Sequence, residues 1–284
     1  MKKIIIYFLL PIWHTVTFFA PDIFGHTATQ NWFLNRPGQY YESMIFIGTT
    51  PIIIASFAFL SKKMKWHTFF FLLWGTLSLS TVFDLPTSRF IYQSHIPFLS
   101  TAIPIRIMLI VSFCVSIISA IGLSHWFQGN SKEKRKMLLS LLPITLIYIC
   151  ISLWVFVSFI QKAEFAGFPG HWFTISLRNL VVPLLVFGST ITILFAGIIF
   201  QRFKYQFFLL LVVVALVHSF LFAQKYFAFS DPELVYPSNP LISYISEQAG
   251  FERYFGYGEA YLSNNFATAY KIYSPEGYDP VNVK

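Results

Sequence analysis

Apolar stretches of the length needed to cross a lipid bilayer recur along this chain, and no other feature restricts its fold as severely. A hydrocarbon layer about 30 Å thick takes roughly 20 helical residues to cross. Windows of this kind fall near 4–20, 44–60, 67–83, 104–127, 137–160, 179–201 and 206–223. They are continuously apolar, without the alternation of barrel strands. Because lipid forces backbone groups to pair within their own segment, each window predicts a helix. The expected fold class is an all-α polytopic membrane protein with about seven transmembrane helices. The first and third windows, about 17 residues each, are short for a crossing. One of them can lie tilted in the interface or re-enter, so the count ranges from six to eight. A composition of 56% hydrophobic and 11% charged residues agrees, since it lies outside the range of soluble globular chains.

Lys and Arg in short loops mark the cytoplasmic side of a membrane protein, which gives an independent test of the threading. One set of alternate loops collects Lys2, Lys3, Lys62, Lys63, Lys65, Lys132, Lys134, Arg135, Lys136, Arg202 and Lys204, eleven basic residues against the single acid Glu133. The other set, before the tail, holds Arg36, Arg89, Arg106, Lys162 and Arg178 beside Asp22, Glu42, Asp84 and Glu164. The expected placement is therefore multi-pass in the cytoplasmic (inner) membrane, N-terminus inside and C-terminus outside. A basic belt against an anionic leaflet accounts for the net charge of +8, and no nucleic-acid partner is needed. Lys2 and Lys3 ahead of an apolar run also fit a signal peptide. Pro11 and His14 interrupt that run and no small-residue cleavage site follows, so a retained first helix is the reading taken. Cys114 and Cys150 both lie deep in apolar runs and read as small core residues.

Two regions follow: a transmembrane helical domain over 1–223 and an extracytoplasmic C-terminal segment over 224–284. The segment carries Pro232, Pro237 and Pro240 and many tyrosines. Alternation in FERYFGYGEAY and ATAYKIY predicts strands, making the segment small and partly β. About 60 residues are thin for a self-sufficient domain.

The outside loops are the longer and more polar ones. Asp22, His26 and Glu42 share one of them, and two carboxylates with an imidazole suit a divalent cation or a general base. Asp22, after Pro21, equally suits the cap of a short interfacial helix. Gly25 and Gly38 read as tight-turn residues, because no phosphate-loop spacing surrounds them. Arg89, Arg106 and Arg178 stand at or near outer helix ends, where a guanidinium either snorkels to headgroups or holds a phosphate. Arg106 lies just inside an apolar run, where a buried charge costs about 2.5–3.5 kcal/mol and so implies a partner. Asp84 and Arg89 read as an architectural ion pair. No nucleophile elbow, zinc-binding helix, P-loop or dinucleotide fingerprint occurs, and no metal site is assigned.

A family resemblance rests on several of these stretches. The segment APDIFGHTATQNWFLNRPGQYYESMIFIG resembles the lumenal loop of bacterial YfhO-type membrane proteins. There a PDFFG-like element leads to a Gly-x-Tyr-x-Glu-like element, here Pro21 to Gly25 and then Gly38, Tyr40 and Glu42. HIPFLSTAIPIRIMLIVSFCVSIISAIGL, SLRNLVVPLL and the tail from NPLISYI to GYDPVNVK are similar to later parts of the same family. His26 departs from the Asn expected after the Phe-Gly pair.

That family is similar to the GT-C superfamily, whose members transfer sugars from polyprenyl-phosphate donors outside the cytoplasmic membrane. The resemblance implies a C-terminal-half fragment, because the superfamily's catalytic acid lies in a first outside loop ahead of helices with no counterpart here. The implied function is handling of a polyprenyl-phosphate-linked sugar in cell-envelope glycosylation. Asp22, His26 and Glu42 would line the sugar or acceptor side, and Arg106 and Arg178 would hold the donor phosphate. Its implied partners are the bilayer, the lipid-linked donor and a missing N-terminal half; a divalent cation is the one cofactor entertained. The alternative is a non-catalytic lipid-binding or flipping module, or an inactive fragment.

Overall fold

The computed structural model describes residues 9–32, 46–94, 96, 103–162, 164, 172–226, 231–237, 239–258, 262 and 266–275. The chain divides into two compact units, 1–226 and 227–284. Unit 1 holds eight α-helices among its described residues. These are α1 Thr49–Ala58, α2 Lys65–Val82, α3 Pro86–Gln93, α4 Met108–Gln128, α5 Ser131–Leu139, α6 Leu142–Gln161, α7 Phe173–Ile199 and α8 Lys204–Ala223.

Four helical stretches, Pro104–Gln128, Ser131–Gln161, Phe173–Ile199 and Gln201–Tyr226, are long and apolar enough to cross a membrane. Their outward faces are apolar too, with Leu109 78% exposed and Leu185 65% exposed. A water-soluble monomer does not present apolar surface on this scale. The chain is a membrane-embedded, all-helical protein.

The helices meet through small residues and paired hydroxyls, the contacts that let helices associate in lipid. Gly122 of α4 faces the backbone of α1, where an added Cβ would stand 2.1 Å from Ile54 O. Thr50 and Thr190 hydroxyls pair at 2.8 Å across α1 and α7, and Ser119 Oγ donates to Pro51 O at 2.8 Å. Trp126, Ile53, Phe57 and Leu194 fill the space between these helices.

The third window, 67–83, forms the 18-residue α2, whereas 44–60 and 4–20 behave differently from the long windows. At 1.5 Å per residue the ten residues of α1 cover about 15 Å, half of a hydrocarbon layer. It begins at Gly48, which has φ +95°. The first window forms no crossing helix among its described residues: Ile12–Phe18 is a seven-residue 3₁₀ helix. Leu10 N–H donates to Val82 O at 3.0 Å and Asp84 N–H to Leu10 O at 2.7 Å, which ties Leu10 to the C-terminal end of α2. The Tyr148 hydroxyl donates to Phe19 O at 3.1 Å, and Asn179 Nδ2 donates to Asp22 O at 2.6 Å near the start of α7. Residues 10 and 22 thus lie at one end of the bundle, while Phe19 reaches into it. Pro11 and the β-branched run Ile12, Thr15, Val16 and Thr17 disfavour a long α-helix here.

The basic loops gather at the other end. Leu60, Lys62, Lys63, His125, Glu133 and Lys136 line one hollow, and the Gln201 amide reaches Ser131. Lys204 lies 5.2 Å over the Phe127 ring and Lys134 lies 4.5 Å over Trp126. Cys114 is buried, whereas Cys150 is exposed on the surface of α6 and not in the core.

Unit 2 contains α9 Pro232–Val235, α10 Pro240–Ala249 and α11 Phe266–Ala269 among its described residues. The expected strands are absent from the described residues of this unit, which hold one isolated bridge, Arg253 with Tyr273. Tyr254 N–H donates to Tyr273 O at 2.7 Å. Phe266–Ala269 coils into a helical turn and Lys271 takes φ +58°, so the alternation in ATAYKIY is never extended.

Candidate functional site

The loop from Pro21 to Trp32 is built around a turn that only glycine can make. Gly25 has φ +87°, and an added Cβ would stand 2.0 Å from Asn31 O. His26 follows, with its N–H donating to Asn31 Oδ1 at 2.8 Å and its Nδ1 accepting Ala28 N–H at 3.0 Å. An accepting Nδ1 means the neutral imidazole carries its proton on Nε2. Burial holds the His26 pKa below its ordinary value; the charge of Asp22 opposes this and that of Lys225 adds to it.

Phe24 and Ile23 anchor the loop in a cluster with Val155, Phe173 and Leu180. Ser176 Oγ donates to Ile23 O at 2.6 Å, so the first turns of α7 fix the backbone on which Asp22 stands. The Asp22 side chain is 8% exposed and pairs with Lys225 Nζ, whose side chain is 38% exposed. Tyr226 packs edge-on against the His26 ring at 5.2 Å, which joins the loop to the end of α8.

A cavity of about 280 Å³ opens beside this pair, lined by Asp22, Arg178, Asn179, His218 and Lys225 with Val182 and Leu221 among its apolar walls. His218 is 3% exposed, and its Nδ1 has no hydrogen-bond partner among the described residues. Phe46 packs edge-on against the same ring at 5.0 Å. One carboxylate, two cations and a buried imidazole therefore share a hollow with the amides of Asn179 and Gln224 and the apolar side chains of Val182, Leu221 and Phe222. The chemistry available is anion binding by guanidinium and ammonium, with a carboxylate poised next to the bound group.

Of the residues singled out in the sequence, Asp22 and Arg178 line the cavity together, while His26 stands beside it in the loop, within reach of the Asp22 charge. Glu42, Gly38 and Tyr40 lie outside the described residues. Arg106 does not line the cavity. It stands exposed on the 3₁₀ turn Pro104–Ile107, because Pro104 starts that turn and α4 begins only at Met108. Its charge is therefore not buried in the apolar run, as its position in the window suggested. Asp84 and Arg89 form a bidentate pair, Nε to Oδ1 at 2.6 Å and Nη2 to Oδ2 at 2.8 Å. Donating these hydrogen bonds to the Asp84 carboxylate raises the Arg89 pKa.

Sequence reasoning did not assign Lys225, Asn179 or His218. His218 left a signal as an ionisable residue inside an otherwise clean apolar window. Lys225 gave little, since it follows α8 by two residues and reads as the start of the polar tail. Among the described residues, no group of three His, Cys, Asp or Glu side chains stands close enough to hold a metal ion. No family model, characterised protein or solved structure matches this chain.

Proposed function

We propose that this protein binds a polyprenyl-phosphate-linked sugar at the outer face of the cytoplasmic membrane, in a cell-envelope glycosylation step of the YfhO-like, GT-C-like kind. The observation that carries the reading is the cavity in which Arg178 and Lys225 flank Asp22, at the end of the bundle away from the basic loops. In this reading the two cations hold the phosphate through charge-assisted hydrogen bonds. The isoprenoid chain lies along the apolar walls at Val182 and Leu221, where α7 and α8 face lipid. Asp22, released from Lys225 as the phosphate arrives, accepts the proton of an incoming hydroxyl. His26 supports Asp22 through the loop, and Glu42 remains the second acid of this reading.

The orientation belongs to the same proposal. The basic loops face the cytoplasm, and the cavity and the segment 224–284 face outward. Labelling single cysteines placed at Lys63 and at Gln224 with an impermeant reagent on intact cells tests this. Reaction at 63 and protection at 224 reverses the proposed orientation.

A second reading has its own support: Asp22 is already engaged by Lys225, as suits a lipid-phosphate binding module without catalysis. Purified protein with a polyprenyl-phosphate sugar separates the two. Binding that Arg178→Gln and Lys225→Gln each weaken by about tenfold, together with sugar transfer, supports the first. Binding without transfer supports the second, and binding that neither substitution alters removes both.

A further inference from the structure

At the end of the bundle away from the Asp22 cavity, two hollows of about 360 and 520 Å³ adjoin and share Ser61, Lys63 and His125. They differ in character. The smaller runs along the C-terminal half of α4, floored by Met64, Ile117 and Ile121, the apolar cluster that also packs Ala58 and Ile118. From Ile117 to Gln128 this groove covers about 16 Å of helix. The larger opens among Lys62, Lys63 and Lys136, with Glu133 as the acid on its rim. One Glu133 oxygen is committed, accepting Asn130 N–H at 2.9 Å in the cap of α5. Three lysines and an imidazole thus stand above an apolar trough that begins within the membrane-embedded part of α4.

We propose that the paired hollows bind one anionic phospholipid, its phosphate among Lys62, Lys63, Lys136 and His125 and one acyl chain against Met64, Ile117 and Ile121. Two features make this a site and not a diffuse basic belt. The neighbouring cation Lys134 is 2% exposed and lies over the Trp126 ring, so it serves packing, while the three lysines of the rim are exposed and converge on one opening. The apolar trough is continuous with that opening through three shared residues, which matches the joined polar and apolar halves of a lipid and not a free anion. A juxtamembrane lysine contributes about fivefold to the affinity for an anionic headgroup.

The test is native mass spectrometry of the detergent-solubilised full chain with phosphatidylglycerol, phosphatidylcholine of identical chains, and inorganic phosphate. We expect one retained phosphatidylglycerol, held about tenfold more tightly than phosphatidylcholine. The double variant Lys63→Gln/Lys136→Gln should lower retention by at least about tenfold, and Lys132→Gln/Arg202→Gln, with equally exposed charges outside both hollows, by less than about twofold. Equal losses in the two doubles, equal retention of the two lipids, or full displacement by inorganic phosphate would each overturn the proposal. A photoreactive phosphatidylglycerol on the unaltered chain gives a readout independent of variant folding. Cross-links within 60–64 and 117–128 support the site, and cross-links confined to other segments refute it.

Discussion

The two ends of the helical bundle carry charge in opposite ways. At the basic end, lysines are many, mostly exposed and nearly without acids, as the lining of the larger hollow illustrates. At the other end charges are few, but Asp22 is buried, its carboxylate pairs with Lys225 and its backbone is held by Asn179. Abundant exposed charge sets the side of a membrane on which a loop rests, at little cost per residue. A buried carboxylate is expensive, and it persists where its partner and its backbone are both fixed. Number therefore speaks to orientation and pairing speaks to chemistry.

This contrast can be broken experimentally. The largest effect is expected from Lys225→Met, which strands the Asp22 carboxylate. Partial exposure of Lys225 limits the loss to about 2 kcal/mol, read as a lower thermal midpoint in detergent that Asp22→Asn restores in the double variant. A midpoint unchanged in Lys225→Met would mean that the pair contributes nothing to holding the loop.

Gly25→Ala should be comparable, at about 2 kcal/mol, because the φ of +87° and the approach of Asn31 O both oppose a side chain. Limited proteolysis within 21–32 is the readout, and unaltered cleavage would show that the turn relaxes freely.

The pH dependence sharpens the comparison further. His26 titrates below its ordinary value of 6.5 in the fold because it is buried. As pH falls through 6.5 the unfolded chain takes up a proton that the folded loop resists, so stability declines on acidification. The decline from about pH 7.5 to about pH 5.5 should be smaller in His26→Gln. An identical slope in both proteins would place the dependence elsewhere.

Asp84→Asn comes next, with a smaller lowering of the thermal midpoint than Gly25→Ala, because the pair with Arg89 is solvent-exposed. Lys136→Gln at the basic end should change stability by less than about 0.5 kcal/mol. If Lys136→Gln destabilised the fold as strongly as Lys225→Met, the contrast between the ends would collapse.

Much of the architecture was legible from composition and spacing. The windows at 104–127, 137–160, 179–201 and 206–223 coincide with the four long helical stretches, since a long run of apolar side chains has one stable state in lipid. The window at 67–83 matches α2 as well, whereas those at 4–20 and 44–60 were less legible. Whether 4–20 crosses or re-enters depends on where its ends are tied, and the bonds of Leu10 to Val82 and of Asp22 to Asn179 are long-range contacts with no local signature. The tail shows the same limit, because one left-handed residue, Lys271, interrupts an alternation that reads as a strand.

The sequence by itself determined the solvent of this protein, the helical response to that solvent and the uneven loading of lysine between alternate loops, because these follow from summed properties of many residues. Only the tertiary structure decided which cation meets Asp22. Arg106 and Arg178 were both plausible partners for a ligand by position along the chain, yet Arg178 lines the cavity and Arg106 stands exposed on a turn before α4, while Lys225 arrives from 203 residues away in sequence. Such a pairing depends on how α7, α8 and the 21–32 loop pack together, and packing is a property of the assembled chain that no local pattern contains.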